Sequence, residues 1–313
     1  MNILNTPFKK CRFGERKCKR IMSKPDYFSI IWIAFRIATV NEQGKVADSM
    51  ADPKVCVALD GTTVEEMTDE AARANLAGAD MVEVRFDRLY LVKPDPTISD
   101  EEEGEKPELP PENDWETMNM EDVDVEASIA ALKEGLPLPV IFTVRPVSEG
   151  GFFPGVESER IEILQKAIDS KVSWIDLELS IDESTRKSLQ DAANANGCQI
   201  IASSHDINGT PDAETIVAMV RDNQDAGDIV KFCGTANNHD DALQIIEAAT
   251  ELTGEGLSHS LMALNSGGDW TRLHAPMLDQ SLVYATMRNE FKISDKGLVN
   301  VRDLRDAWSL LEY

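Results

Sequence analysis

Basic residues, aromatic residues and long apolar runs are all scarce in this sequence. Among its 313 residues, Lys and Arg number 31 against 56 Asp and Glu, and the formal net charge is −25. So acidic a chain repels polyanions, which argues against nucleic acids and anionic membranes as partners. The most apolar stretch, residues 27–40, is shorter than the roughly 18 residues of a membrane span and contains Arg36. We therefore expect a globular protein that binds neither.

Cysteines, histidines and glycine-rich motifs are also few. The five cysteines include no CxxC pair, and the histidines are too scattered to suggest a metal site; they are His205, His239, His259 and His274. The sequence has neither a phosphate-binding loop nor a GxGxxG dinucleotide motif. These absences predict a protein with no metal and no nucleotide cofactor. Unpaired cysteines in apolar segments are typical of a reducing compartment, so we also expect a cytoplasmic protein.

The charge is divided unevenly along the chain. Residues 1–50 contain 10 Lys or Arg and 4 Asp or Glu, whereas residues 51–313 contain 21 and 52, so the two parts carry +6 and −31. Basic residues precede the apolar stretch 27–40, as in a secretory signal, but no small-residue cleavage site follows it. We interpret residues 1–50 as a poorly ordered basic extension and residues 51–313 as one folded domain. A secreted protein is the alternative.

From residue 54 onward, apolar runs alternate with polar segments of helical period, which is the pattern of βα units in a parallel sheet. Eight runs have the length and composition of strands: KVCVAL from residue 54, MVEVRF from 81, PVIFTV from 139, SWIDLEL from 173, QIIASS from 199, DIVKF from 228, SLMAL from 260 and LVYATM from 282. Eight such units in about 260 residues predict a single-domain α/β fold, the (β/α)8 or TIM barrel. The alternative, a doubly wound sheet, needs a glycine-rich loop after an early strand, and LDGTTVEE is not one.

Several helical segments carry clear end signals. Threonines or an aspartate open the segments at 62–78 and 182–197, and each ends at a glycine. The segment at 211–227 is predicted to hold a proline in its first turn and to end at Gly227. The last helix is predicted over residues 300–313.

One insertion interrupts the pattern after the second strand. Residues 92–116 are rich in Pro, Glu and Asp and have few large apolar side chains. We interpret this segment as a solvated surface loop, because it cannot bury enough apolar area to pack. A lid over a site is the alternative.

Charged residues recur where the predicted strands end. In a (β/α)8 barrel these ends, with the loops after them, form the catalytic face. The residues are Glu83 and Arg85 on the second strand, Arg145 and Glu149 after the third, Asp176 and Glu178 on the fourth, His205 on the fifth, Lys231 on the sixth and Arg272 in the loop after the seventh. Burying so many polar groups is unfavourable unless a site uses them, so we expect them to converge on one pocket.

Structural explanations stay open for single residues in this set. Glu83 and Arg85 are two positions apart on one strand, so they face the same way and suit an ion pair. Asp176 and Glu178 suit a role in neutralising nearby arginines. Arg272 suits a surface position in the first turn of a helix. The combination therefore indicates a function more strongly than any one member does.

Lys231 interrupts an apolar strand, where an unpaired ammonium group is unfavourable. A lysine in such a place is suited to act as an amine nucleophile. The imidazole of His205 can take and return a proton, and arginines can hold a carboxylate. Together these groups indicate a Schiff-base enzyme that acts on a small anionic carbonyl compound.

Five segments together resemble the type I 3-dehydroquinate dehydratase family: VEVRFD at 82–87, FTVRPVSEGG at 142–151, DLEL at 176–179, SSHD at 203–206 and DIVK at 228–231. They stand in the family's order and at compatible spacing, and the resemblance covers residues 54–313. It implies a (β/α)8 barrel lyase of the shikimate pathway that converts 3-dehydroquinate to 3-dehydroshikimate and water. It also implies a homodimer that needs no cofactor.

The resemblance implies roles for matched residues. Lys231 would form an imine with the C3 carbonyl of the substrate. His205, hydrogen-bonded to Glu149, would remove the C2 proton and deliver a proton to the departing C1 hydroxyl in a syn elimination. The expected substrate-binding residues are Glu83, Arg85, Arg145, Arg272 and Ser294, with Arg272 on the carboxylate.

The segment after the last predicted strand departs from the family pattern. Family members have a Ser followed by Pro-Gly-Gln, whereas ISDKGLVNV offers Ser294 and Gly297, with Leu298 in the place of the Gln. Two other functions therefore stay open. One is another lysine-imine barrel enzyme, such as a class I aldolase, and the other is a non-catalytic barrel that binds a small acid.

Overall fold

The computed structural model describes residues 52–96, 109–288, 290–291, 293–294 and 296–313. The predicted basic extension, residues 1–50, lies outside these residues, as does part of the predicted insertion, residues 97–108. Eight parallel strands run through the described part: β1 (Lys54–Ala58), β2 (Met81–Arg85), β3 (Val140–Thr143), β4 (Trp174–Glu178), β5 (Gln199–Asp206), β6 (Ile229–Ala236), β7 (His259–Asn265) and β8 (Leu282–Ala285). All eight predicted strands are confirmed.

The strands form a nearly closed barrel. Parallel ladders join them in the order β7-β6-β5-β4-β3-β2-β1-β8, which leaves β7 and β8 as the two ends. Side chains close this seam. Gln280 accepts a hydrogen bond from the Leu261 amide at 2.7 Å and donates one to the Leu261 carbonyl at 3.1 Å, while Ser260 Oγ donates to the Leu282 carbonyl at 2.7 Å. The predicted (β/α)8 barrel is therefore the observed fold.

Helices alternate with the strands: α1 (Val64–Ala77), α2 (Val125–Gly135), α3 (Glu157–Asp169), α4 (Glu183–Asn196), α5 (Ala213–Asp222), α6 (His239–Leu252), α7 (Gly268–Leu273) and α8 (Val301–Leu310). The helix α1 begins after Thr63, whose hydroxyl accepts a hydrogen bond from an amide of the first turn. It ends at Gly78, which has a φ of 98°. A side chain at that φ is strained, so the glycine is the natural end point.

The helix α5 corrects two details of the prediction. Asp212 is its N-cap, so Pro211 lies just before the helix and not in its first turn. The helix ends at Asp222, and a separate 3-10 turn, Gln224–Ala226, leads to Gly227. The Asp212 side chain accepts a hydrogen bond from the Thr215 amide at 2.9 Å, which satisfies a free amide of the first turn and sets the start of the helix.

Strand alternation explains why a lysine interrupts an apolar strand. In β6, Val230 and Phe232 point outward and pack against the helices. Ile229 and Cys233 point inward with the side chains that fill the barrel. Lys231 belongs to the inward set, because side chains two positions apart share one face of a strand. It is only 3% exposed.

The described ends of the predicted insertion are tied to the barrel. The Val92 amide donates to the Glu116 carbonyl at 2.8 Å, and Arg88 pairs with Glu112 at 3.0 Å. These contacts fix where the loop leaves and rejoins the fold. Among the residues that the structure covers, no helix is both long enough and apolar enough to cross a lipid bilayer.

Candidate active site

Inside the barrel, a layer of polar side chains lies above a layer of apolar side chains, two residues closer to the C-terminal ends of the strands. The apolar layer includes Met81, Ile141, Trp174, Ile201 and Ile229. Two positions further along the same strands, the inward side chains are Glu83, Thr143, Asp176, Ser203 and Lys231. All five are buried. The change from apolar to polar therefore occurs at one level in five neighbouring strands.

Arg145 lies at the centre of this layer and is 2% exposed. Its guanidinium donates to Asp176 at 2.8 Å, to Glu178 at 2.8 Å and to Ser203 at 3.0 Å. Burial works against ionisation, yet the charges of Arg145 and Lys231 hold the pKa of Asp176 below its ordinary value. The interpretation that Asp176 and Glu178 neutralise an arginine agrees with this geometry. Removing one member of such a buried network typically costs about 3–5 kcal/mol.

The amine of Lys231 faces the interior among polar groups. Its Nζ lies 3.1 Å from the Tyr284 hydroxyl and 3.5 Å from carboxylate oxygens of both Glu83 and Asp176. The Tyr284 ring centre is 4.1 Å away. Glu83 in turn accepts a hydrogen bond from Thr143 at 2.9 Å. The lysine is therefore a buried, partnered amine and does not extend back to solvent.

His205 and Glu149 form a hydrogen-bonded pair at the mouth of the barrel. Glu149 Oε2 lies 2.9 Å from His205 Nδ1 and accepts from the His205 amide at 3.1 Å. A carboxylate at Nδ1 favours the tautomer that carries its proton there, which leaves Nε2 as a proton acceptor. Burial, with the positive charges of Arg145, Lys231 and Arg85, lowers the pKa of His205 well below its ordinary value. The imidazole is thus a neutral base near pH 7.

A tight turn after β3 places the Glu149 carboxylate within hydrogen-bond distance of this histidine. The turn, Val147–Glu149, ends at Gly150, whose φ is 78°. The Gly151 amide then donates to the Pro146 carbonyl at 2.9 Å. A Cβ atom on Gly151 would lie 2.0 Å from the Arg145 carbonyl oxygen, so no other residue fits without moving the turn. The two glycines therefore set the position of the Glu149 carboxylate.

Arg85 does not pair with Glu83, which corrects the ion pair considered from the sequence. Its Nε and Nη2 donate to the two carboxylate oxygens of Asp87 at 2.9 and 2.7 Å. Asp87 is fully buried and also accepts from the backbone amides of Arg145 and Phe152. This bidentate pair holds the guanidinium at the barrel mouth and connects it to the turn that carries Glu149.

Arg272 lies in helix α7 and not in a loop, and it is 1% exposed, so the surface position considered from the sequence is wrong. Its Nη1 donates to the Ala263 carbonyl of β7 at 2.7 Å, and its Nε donates to the Tyr284 carbonyl of β8 at 2.9 Å. Arg272 therefore joins the two strands that no ladder connects. Its position is set by backbone atoms of both strands.

Ser294 lies in a turn between β8 and α8. Its hydroxyl accepts from the Leu298 amide at 2.9 Å, and its own amide donates to the Leu298 carbonyl at 3.1 Å. Gly297 closes the turn with a φ of 69°. The Asn265 amide, at the end of β7, donates to the Lys296 carbonyl at 2.9 Å and anchors the turn at the C-terminal edge of the barrel. The turn thus lies on the same edge as the other predicted residues.

Three contributors were missed by sequence reasoning: Tyr284, Asp87 and Arg160. Tyr284 could have been recognised from the sequence, because it lies two positions after the apolar Leu282 in the predicted strand LVYATM. Strand alternation places both side chains on one face. Asp87 lies beyond the end of β2, where the alternation of a strand no longer indicates which way a side chain points. Arg160 looks like a surface partner of Glu157 at helical spacing, yet it is 1% exposed and donates to Glu178 at 2.6 Å.

A family model for type I 3-dehydroquinase matches residues 55–313. The chain belongs to the type I 3-dehydroquinase family. The resemblance of the five segments is therefore confirmed. A 3-dehydroquinate dehydratase of Alkaliphilus oremlandii is 28% identical over 260 residues, which covers 81% of this chain and 90% of the relative. One of Methanocaldococcus jannaschii is 30% identical over 189 residues, 60% of this chain and 83% of the relative.

Solved structures similar to this family member have the same barrel fold. A 3-dehydroquinate dehydratase of Geobacillus kaustophilus matches with a TM-score of 0.67 and 22% identity, over 84% of this chain and 92% of the other. A type I 3-dehydroquinate dehydratase of Clostridium difficile, described as carrying covalently modified comenic acid, matches with a TM-score of 0.65 and 22% identity, over 83% and 92%. The type I 3-dehydroquinase fold thus extends over the whole described barrel.

Proposed function

We propose that this chain is a 3-dehydroquinate dehydratase, a lyase that converts 3-dehydroquinate to 3-dehydroshikimate and water in aromatic amino-acid biosynthesis. One observation carries the proposal: in a member of the type I 3-dehydroquinase family, the buried amine of Lys231 shares the barrel interior with the His205–Glu149 pair. In the β5–β6 register, His205 lies opposite Cys233, two positions beyond Lys231. The imidazole is thus nearer the mouth and the amine is deeper.

The geometry suits an elimination through an imine. The Lys231 amine would attack the C3 carbonyl, and loss of water would leave a C=N bond that acidifies the adjacent C2 hydrogen. His205 would take that proton at Nε2, since Nδ1 is bonded to Glu149, and would give a proton to the C1 hydroxyl as the C1–O bond breaks. Hydrolysis of the imine then consumes one water and releases the product and the free amine.

The remaining predicted residues would hold the substrate around this reacting centre. Arg272 would bind the carboxylate through Nη2, because its Nε and Nη1 are bonded to backbone carbonyls. Within the part of the chain that the structure describes, Arg272 Nη2 and Arg85 Nη1 make no hydrogen bond, which supports a role in binding. Glu83 and Arg145 would contact hydroxyl groups near Lys231, and Ser294 would do so from the turn at the barrel edge.

Borohydride trapping tests the proposal. Protein mixed with 3-dehydroquinate and borohydride is expected to gain the mass of the dehydrated product, less one water and plus two hydrogens. Peptide mapping is expected to place that mass on Lys231, because reduction fixes only the lysine that forms the imine. The exposed Lys166 serves as an internal control and should stay unmodified. No adduct and no turnover with folded protein would refute the proposal and favour the non-catalytic barrel. An adduct formed only with aldol substrates would favour the aldolase.

We also infer that residues 51–313 are the catalytic unit and that residues 1–50 are dispensable, and that the enzyme is a cytoplasmic homodimer. The family match from residue 55 supports the first inference, and family membership supports the second. A chain from which residues 1–50 are removed is expected to keep full activity. Light scattering of the full chain is expected to give twice the 34.6 kDa chain mass. Loss of soluble protein on truncation, or a monomer in solution, would contradict these inferences.

A further inference from the structure

A buried arginine on an outer helix contacts the polar network of the barrel. Arg160 lies near the start of α3 and is 1% exposed. Its Nη1 donates to the Glu178 carboxylate at 2.6 Å, and its Nε and Nη2 donate to the two carboxylate oxygens of Glu157 at 2.8 and 2.7 Å. The Glu178 side chain is fully buried, whereas that of Glu157 is 56% exposed. The guanidinium therefore connects an inner carboxylate to an outer one.

Arg160 binds where the ladder between two strands has ended. The last pair of the β3–β4 ladder is Phe142 with Ile175. Val144 lies two residues further along the chain and Glu178 three, and Arg160 Nη1 donates to the Val144 carbonyl at 2.9 Å as well as to Glu178. This position allows a residue of an outer helix to contact a carboxylate of the barrel interior.

The contact also balances the charge of the buried network. Ion pairs of 2.6–3.9 Å connect Arg160 to three carboxylates and two cations inside the barrel: Glu83, Asp176, Glu178, Arg145 and Lys231. Three negative charges face two positive ones there, and Arg160 supplies the third positive charge. A buried charge without a counter-charge is unfavourable, and such a group changes its protonation state instead.

Glu178 is the carboxylate in direct contact with Arg160. Burial raises its pKa, the charges of Arg145 and Arg160 oppose that rise, and the charge of Asp176 adds to it. Ser203, which pairs with Glu178 across the β4–β5 ladder, carries no charge. The Glu178 carboxylate accepts from Arg145 Nη1 at 2.8 Å. A charge-assisted hydrogen bond is roughly twice as strong as a neutral one, so protonation of Glu178 would weaken its hold on Arg145.

We propose that Arg160 is a positioning residue of the active site, which holds the Arg145 guanidinium in place for the substrate through the Glu178 carboxylate. The inference rests on the proposed function, in which Arg145 contacts substrate hydroxyl groups. Arg160 itself does not touch the substrate, because Glu178 lies between the two guanidinium groups. Its charge keeps Glu178 ionised, and an ionised Glu178 keeps Arg145 in position.

The substitution Arg160→Met tests the inference, because it removes the charge and keeps a long side chain. The KM for 3-dehydroquinate is expected to rise roughly tenfold with a smaller fall in kcat, since a misplaced Arg145 weakens binding before and during the reaction. In infrared spectra, the band of a protonated carboxyl group is expected to persist to higher pH than in the wild type. Adding Glu178→Gln should remove that shift. Arg160→Lys keeps the charge, so it is expected to restore most of the KM and of the infrared titration.

Arg186 offers a matched control at the same end of β4. It lies in α4, and its Nη1 donates to the backbone carbonyls of Leu179 and Ile181 at 2.7 and 3.2 Å. The variant Arg186→Met loses structural hydrogen bonds without removing a charge from the buried network. It is expected to melt at a lower temperature while its KM and its infrared titration stay at the wild-type values.

The outcomes separate this inference from the proposed function. If the wild type converts 3-dehydroquinate and folded Arg160→Met keeps the wild-type KM and infrared titration, the inference is refuted and the function stands. An Arg160→Lys variant as impaired as Arg160→Met would also refute it, because the charge would then have no effect. If the wild type shows no turnover, the proposed function itself fails, and the inference fails with it.

A second variant covers the case in which Arg160→Met does not fold. Glu178→Gln places an uncharged amide where the protonated carboxyl would be, so it is expected to raise the KM in the same way. A wild-type KM in folded Glu178→Gln would overturn the inference.

Discussion

Replacing Lys231 by alanine is expected to abolish turnover, with a fall in kcat on the order of 10⁴-fold or more, as for other nucleophiles that act within a catalytic unit. The variant loses the amine that would become covalently bound to the substrate. It also leaves the carboxylates of Glu83 and Asp176, each 3.5 Å from Nζ, without that cation. A lower free energy of unfolding is therefore expected, by at most about 3–5 kcal/mol.

The control Lys231→Arg separates chemistry from charge. The guanidinium keeps the positive charge near Glu83 and Asp176, so this variant should melt closer to the wild type than the alanine variant does. It should be as inactive, because a guanidinium is not deprotonated in proteins and cannot form the imine. Steady-state kinetics with thermal melting of all three proteins would decide. Substantial turnover by folded Lys231→Arg would show that the lysine supports the fold and is not the nucleophile.

Replacing His205 by glutamine is expected to lower kcat by about 10²–10⁴-fold, which is the usual contribution of a positioned acid–base group. Imine formation should still occur, because the amine of Lys231 is intact. The adduct trapped by borohydride should then retain the C1 hydroxyl. Its mass would exceed the wild-type adduct by one water. An adduct of product mass formed at the wild-type rate would exclude His205 as the base.

The pH profile gives a second test of His205. Burial and nearby cations lower its pKa well below 6.5, so the imidazole stays neutral as the pH falls through that value. A neutral imidazole is the form that accepts a proton. The acid limb of kcat/KM in the wild type is therefore expected below pH 6.5, and it should be absent in His205→Gln. An acid limb centred above pH 6.5 would contradict the assignment.

The order of elements could be predicted from the sequence because it depends on local patterns. Each strand is a short apolar run, and each is followed by a segment with helical period, so all eight strands were found. The inward direction of Lys231 was less evident, since β6 is buried on both faces. Its neighbours Val230 and Phe232 face the helices, and only the closed barrel distinguishes the two sides.

Partners within the site could not be predicted, because they depend on distant parts of the chain. Arg85 binds Asp87, which follows the strand in a 3-10 turn, and not Glu83, which shares its face of β2. Arg145 binds carboxylates from β4, and that choice depends on the register between two strands. Tyr284 meets Lys231 only because the barrel closes. Sequence spacing thus identified reactive residue types and left their pairing open.

Arg272 combines a structural role with the proposed role in substrate binding. Its Nη1 and Nε donate to backbone oxygens of β7 and β8, two strands that no ladder joins, where Gln280 and Ser260 supply further side-chain links. If the carboxylate of the substrate binds the remaining nitrogen, Nη2, then substrate affinity and the stability of the barrel depend on the same guanidinium. A substitution at this position is then expected to lower substrate affinity and barrel stability together, so a loss of binding there cannot be separated from a loss of fold without measuring both.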